Sequence, residues 1–444
     1  MWPLKNICGD GTVRYEYEDN EICAVTAREV IDSRGNPTIE VEVETEDGFG
    51  RAIVPSGAST GTYEALELRD GGSRFAGKGV TKAVSNVNKV LAERILGFDV
   101  TDQRLIDEEL RDADGTEDKS CLGANAIVGV SMACAACAAD TCKMELYRYL
   151  GGPQAHVLPV PMSNVLNAGV HGSAELELQE FMVMPTGVET YGEALQAICE
   201  VYHELKRIVA RRYGATATGV GDEGGYSPPM KRVDEALEML VEAMEETGYS
   251  DTMGISIDAA ASEFYDRDAG TYQLEGKTLS PDELVERYYE MIDTYPIVSL
   301  EDPFAEHDYD SFATLTTKVG RKVQIVGDDI FVSNPQRIET GLESRAANAL
   351  LLKLNQIGTV TEAWDAAQLA LRSKWGVVVS HRSGETEDTF IADLAVALNC
   401  AQIKTGAPCR SERTAKYNRL LRIEEDLGDG AVYDGIRFRA PHLH

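Results

Sequence analysis

Ile255-Ser256-Ile257-Asp258 opens a stretch, running to Gly406, in which six short apolar runs each end in a charged or polar residue. The other five are Ile297–Asp302 (IVSLED), Val323–Asp329 (VQIVGDD), Ala349–Gln356 (ALLLKLNQ), Gly376–Ser383 (GVVVSHRS) and Ala401–Gly406 (AQIKTG). Between them lie longer segments, several with helical periodicity, such as Pro281–Tyr295 and Thr359–Arg372. Strands alternating with helices imply parallel pairing through right-handed crossovers. Near-continuous apolar strands imply a sheet buried on both faces. Chemistry placed repeatedly at the C-terminal ends of successive strands is the mark of a (β/α)8 barrel, whose active site lies on that face. Asp258, Glu301, Asp328, Lys353, Lys404 and His381-Arg382-Ser383 then converge on one mouth.

Working outward, two strand-like runs precede this stretch, Val157–Asn167 and Leu176–Pro185, the second carrying Glu180. Two helical segments follow, Thr190–Gly214 and Arg232–Gly248, with Gly219–Gly225 and its Glu223 between them. The predicted barrel is therefore ββαα(βα)6 over residues 153–444. Upstream, Ala24–Pro55 alternates apolar and polar residues through TIEVEVET and turns at EDG, as an antiparallel meander does. Helical segments over 79–150 complete an N-terminal α+β domain, 23–152, and residues 1–22 read as a polar extension. Pro55–Gly61 (PSGASTG) is too small and Gly-rich for a regular element. It is a loop that closes over a ligand or an ordinary connection.

The 444 residues exceed one ordinary core, so a barrel plus a second domain fits. With 42 basic and 74 acidic residues the net charge is -32. That balance excludes nucleic-acid binding, which needs basic patches. It fits a solvated acidic surface or a salt-adapted one. No apolar run matches a membrane span, and MWPLKNICGDG lacks a signal-peptide core, which points to the cytoplasm. The nine cysteines are scattered, with no second CxxC to complete a zinc site, and read as free thiols.

Three carboxylates ending consecutive strands repel one another unless protonated or metal-bound. Oxygen ligands without His or Cys suit Mg2+ or Mn2+. Single acids in such places serve as helix caps, a role open to Asp302 and Asp329. Lys353, after three leucines and beside Lys404 and bound cations, is expected to have a lowered pKa and to act as a general base; the alternative is a lysine paired with one of the acids. Glu180 or Glu223 is its acid partner across the mouth. His381, Arg382 and Ser383 supply donors for an anion, arginine being the best suited to phosphate. Together these groups describe proton abstraction next to a carboxylate, with acid-assisted loss of a leaving group.

IDSRGNPTIEVEV, VPSGASTG, LQEFMVMP, GDEGG, SLEDPF, GDDIFVSNP, LLLKLNQIGT, SHRSGETED, QIKTGAPCRSER and LLRIEEDLG resemble signatures of the enolase family, in that family's order. The resemblance covers the chain from about Ala24 onward. It implies a glycolytic and gluconeogenic lyase that interconverts 2-phosphoglycerate and phosphoenolpyruvate. It further implies two Mg2+ per active site, the first on Asp258, Glu301 and Asp328, the second arriving with substrate and held with help from Ser59. By the same resemblance Lys353 takes the C2 proton and Glu223 assists loss of the C3 hydroxyl, with Glu180 beside it. Lys404 contacts the substrate carboxylate, Arg382 and Ser383 the phosphate, His381 lies with them, and His171 belongs to a closing loop. A homodimer is implied, assembled into octamers in some members, with Arg28 and Glu425 matching positions that pair across subunits. Departures are Tyr63 where the family commonly has His, Asn167-Ala168-Gly169 for a common NGG, and Ala136 where a basic residue is usual. The alternatives are a superfamily member acting on a non-phosphorylated acid and a scaffold protein displayed at the cell surface. Intact phosphate contacts weigh against the first, and a His442-Leu443-His444 end without lysine against the second.

Overall fold

The computed structural model describes residues 4–7, 13–16, 19–58, 61–169 and 176–439, with side chains from residue 19 onward. Its strands, in chain order, are β1 (Leu4–Ile7), β2 (Val13–Glu16), β3 (Ala24–Ile31), β4 (Pro37–Glu44), β5 (Phe49–Ile53), β6 (Val160–Asn167), β7 (Glu180–Met184) and β8 (Gly254–Asp258). They continue with β9 (Tyr265–Asp266), β10 (Thr271–Leu274), β11 (Lys277–Leu279), β12 (Ile297–Glu301), β13 (Gln324–Gly327), β14 (Ala349–Leu352), β15 (Gly376–Ser380) and β16 (Gln402–Lys404). Strands β6, β7, β8 and β12 to β16 close into a barrel in chain order, β16 returning to β6. Pairs β6–β7 and β7–β8 are antiparallel and the remaining barrel pairs parallel. Helices Tyr191–Tyr213 and Val233–Thr247 follow the first two strands, which gives the expected ββαα(βα)6 order.

Side chains alternate in and out along each barrel strand. Val160 and Met162, Met182 and Met184, and Ala349 and Leu351 point inward, where they pack with Val326, Val378 and Phe438. Their neighbours Leu350, Leu352, Val377 and Val379 point outward into the larger core beneath the surrounding helices. Phe438, from the C-terminal segment, closes the floor, and its carbonyl accepts a bond of 3.2 Å from Gln402 Nε2. The barrel is therefore a filled core open to chemistry only at its upper rim.

The meander β3–β4–β5 is antiparallel throughout, as its alternation requires. The Ala-rich helix Ala124–Thr141 lies on it so closely that a Cβ at Gly50 would fall 2.2 Å from the Ala133 carbonyl oxygen. Small residues on that helix make this approach possible. By length and composition alone the helix could cross a membrane, but most of it is buried in the fold, as a core helix is. Two further small sheets escape the sequence reading. Residues read as a polar extension contain the hairpin β1–β2, and a small sheet β9–β10–β11 is inserted after β8. Strands of two to four residues carry too little alternation to be read.

Candidate active site

The inward alternation that fills the barrel also builds its rim. Ser256 and Asp258, Ser299 and Glu301, Val326 and Asp328, Leu351 and Lys353, and Gln402 and Lys404 stand two apart, so the second of each pair tops the layer formed by the first. Strand β7 runs the other way, so its first residue, Glu180, reaches the same rim, opposite Asn167 on one side and Asp258 on the other. Glu180, Glu223, Asp258, Asp328, Lys353 and Lys404 line one cavity, together with His381, Arg382 and Ser383.

Two ammonium groups hold the acids together. Lys404 Nζ lies 2.9 Å from both Asp258 and Glu301 and 3.1 Å from Glu180. Lys353 Nζ donates to Asp328 Oδ2. Burial and then Asp258 push the Glu301 carboxyl well above its ordinary range, with Lys404 opposing. Burial would also raise Asp328, but the Lys353 contact holds it below its ordinary value. The lowered pKa expected for Lys353 is corrected here. Burial, the largest single effect, pulls it down, but Asp328 and the other acids around it, Glu301 among them, together leave the group above its ordinary value.

In the same cavity, Glu223 Oε2 accepts from Asn164 Nδ2 at 3.0 Å and lies 3.4 Å from His381 Nε2. Its backbone carbonyl accepts from the Ala407 N–H at 2.9 Å. Arg382 makes a forked pair with Glu64, at 2.9 and 3.1 Å, and donates to Asn355 Oδ1. Burial, the largest single effect, draws the guanidinium's pKa down, but Glu64 with Asp328 and Asp329 together raise it above its ordinary value. Glu64 also accepts from the Gly61 N–H, which ties Arg382 to the root of the Gly-rich loop. Gln356 donates to Asp328 Oδ1 at 2.8 Å and accepts from Ser333, whose hydroxyl in turn receives the Lys353 N–H. Ser59 and His171 lie outside the described residues.

Asp302 and Asp329 do not cap helices. Asp302 accepts the N–H groups of Asp328 and Asp329, both at 2.8 Å, and so shapes the turn that presents Asp328. The sequence reading also passed over Gln179, Glu64, Gln356 and Arg413. Gln179 is buried in the cavity wall with its Oε1 unpartnered. A signal existed for Arg413. It stands in the first turn of helix Ser411–Leu427, where the helix dipole disfavours a cation, so a specific acceptor should hold it. Tyr63, one of the departures, stacks on Arg337, whose guanidinium carbon is 3.9 Å from the ring centre.

The rim fits a hard divalent cation. Its donors are all carboxylate oxygens, and Glu301, fully buried, has an Oε2 with no hydrogen-bond partner. Carboxylate oxygens of Asp302, Asp328 and Asp329 also lie within 4.8 Å of one another, but those of Asp302 already bind backbone.

The family model described as "Enolase, C-terminal TIM barrel domain" matches residues 155–442, and "Enolase, N-terminal domain" matches residues 22–150. The enolase of Thermococcus gammatolerans is 60% identical over 425 residues, covering 95% of this chain and 99% of that protein. That of Pyrococcus furiosus is 58% identical over 421 residues, covering 94% and 98%. The enolase of Corynebacterium kroppenstedtii is 54% identical over 418 residues, covering 94% and 97%. With both domain models matched and relatives this similar along almost its whole length, the chain belongs to the enolase family.

Proposed function

We propose that this lyase interconverts 2-phosphoglycerate and phosphoenolpyruvate with Lys353 as the base at C2 and Glu223 as the acid at the C3 hydroxyl. The observation that supports the reading is one cavity lined together by Lys353, Glu223 and Arg382. Asp258, Glu301 and Asp328 would hold Mg2+, which supplies charge for the anion that develops on the substrate carboxylate and engages the acid now raising the Lys353 pKa. A second ion, entering with substrate, falls to Ser59. Neutral Lys353 then takes the C2 proton onto Nζ. Glu223, protonated, gives its proton to the departing hydroxyl, with Glu180 beside it. Lys404 offers an ammonium to the substrate carboxylate, and Arg382 and Ser383 bind the phosphate next to His381. His171 is assigned to the wall that closes over them.

The same reading places the chain in glycolysis and gluconeogenesis, in the cytoplasm, as a homodimer. It keeps residues 23–152 as a domain capping the barrel of 153–444. Absorbance of phosphoenolpyruvate formed from 2-phosphoglycerate, with and without Mg2+, tests it. Turnover that depends on Mg2+ is expected, and no turnover in its presence would favour a scaffold role instead.

A further inference from the structure

Arg413 is fully buried, yet it stands in the first turn of a helix, at the end that repels a cation. Its guanidinium donates to the carbonyls of Arg382 and Ser383, each at 2.6 Å, to the Asp222 carbonyl at 3.2 Å, and to His381 Nδ1 at 2.5 Å. One side chain thus bridges the loop after β15, which carries the anion-binding groups, and the loop that carries Glu223. The space is tailored to it: a Cβ at Gly406 would lie 3.0 Å from Arg413 Cδ and 3.2 Å from His381 Cε1, at a φ of +76.

A guanidinium has no acceptor and stays protonated in proteins. Its contact with Nδ1 therefore requires a lone pair there, and the ring proton must sit on Nε2. That proton faces Glu223 Oε2, 3.4 Å away. We propose that Arg413 is a positioning residue that holds His381 as the neutral Nε2–H tautomer, a fixed donor that orients the Glu223 carboxylate. Asn164 Nδ2 donates to the same oxygen at 3.0 Å, whereas His381 Nε2, buried and 3.4 Å away, has no other partner among the described residues and is left to turn its proton toward that carboxylate. Charged groups facing the imidazole are Glu223 from its loop, Arg413 from the helix and Lys404 from β16. Burial dominates among the effects on the ring and takes its pKa to about 3, which agrees with a neutral imidazole.

The consequence for turnover rests on Glu223 being the acid; the tautomer itself does not. The first test is nitrogen-15 NMR of histidine side chains in the full, unmutated chain near neutral pH, with His381 assigned by its loss in His381→Asn. A protonated Nε2 and an unprotonated Nδ1 are expected, and an Nδ1–H tautomer or an imidazolium would overturn the proposal. The second uses Arg413→Met and Arg413→Lys. Loss of a hydrogen bond involving a charged group corresponds to about 10- to 100-fold, so kcat should fall by that factor in Arg413→Met with a smaller change in KM. The NMR signal of that variant should become a mixture of tautomers, and Arg413→Lys, which can still donate, should recover part of both. An unchanged kcat, or a rise in KM alone, would assign Arg413 to the anion-binding loop and refute its role toward Glu223. If Arg413→Met fails to fold, the measurement on the unmutated chain still decides. If the tautomer is as expected but Glu223→Gln retains full turnover, the acid assignment falls and the positioning of His381 stands.

Discussion

Replacing His381 with Asn should flatten the acid sensitivity of the fold by a calculable amount. The imidazole is buried, and its folded pKa is lowered from 6.5 to about 3, by burial first, against the pull of Glu223. In the unfolded chain the ring titrates near 6.5. Between these values the unfolded state binds a proton that the folded state does not, so stability contributed above 6.5 is lost as pH falls toward 3. One pH unit of such difference is about 1.4 kcal/mol. At pH 5 the loss is about 2 kcal/mol, and at pH 7 only about 0.2 kcal/mol. The substitution also removes the bond to Arg413, but that cost is nearly independent of pH. Urea unfolding of both proteins at pH 7 and pH 5 isolates the slope. The gap between them should narrow by about 2 kcal/mol on going to pH 5. Parallel changes in the two proteins would show that His381 is already charged in the fold, and the reasoning would fail.

Other consequences follow from the charge distribution. Lys404→Met leaves Glu180, Asp258 and Glu301 without their shared ammonium. Breaking a buried pair typically costs about 3–5 kcal/mol, so the Mg2+-free variant should unfold more easily, with Mg2+ restoring part of the loss; unchanged stability would contradict the role of Lys404. Arg28, paired within its own chain to Glu40 and Glu42, is the proposed partner of Glu425 across a dimer. Glu425→Lys should then lower the sedimentation coefficient at micromolar concentration, and adding Arg28→Glu should partly restore it. At a net charge of -32 self-repulsion is long-ranged, and molar salt screens beyond about 3 Å. The melting temperature should therefore rise from low to molar KCl at fixed Mg2+; a flat or falling series would remove the salt-adapted reading.

The barrel was legible because its strands are buried on both faces, so each appears as an apolar run cut short by a charge. The functional charges were legible for the same reason: Lys353 after Leu350-Leu351-Leu352 has no solvated neighbour to explain it. Arg413 and Glu64 sit in ordinary-looking polar segments, and their burial is created by loops distant in sequence. Asp302 read as a cap because an acid after a strand commonly is one, and only the parallel pairing of β12 with β13 brings it under the Asp328 and Asp329 amides. The Lys353 pKa is raised because the alternative reading of that lysine, a pair with one of the acids, is the one realised, with Asp328, 25 positions away. Elements as short as β9 to β11 offer no period to detect.

The central claim, a base at Lys353 and an acid at Glu223 in one cavity, is tested most directly by separating the two proton transfers. Each variant is incubated with 2-phosphoglycerate and Mg2+ in deuterated water, and loss of the C2 proton signal is followed beside formation of phosphoenolpyruvate. Glu223→Gln should exchange the C2 proton for deuterium while forming little phosphoenolpyruvate, and Lys353→Ala should do neither. Exchange that persists in Lys353→Ala, or that is lost in Glu223→Gln alone, would contradict the assignment.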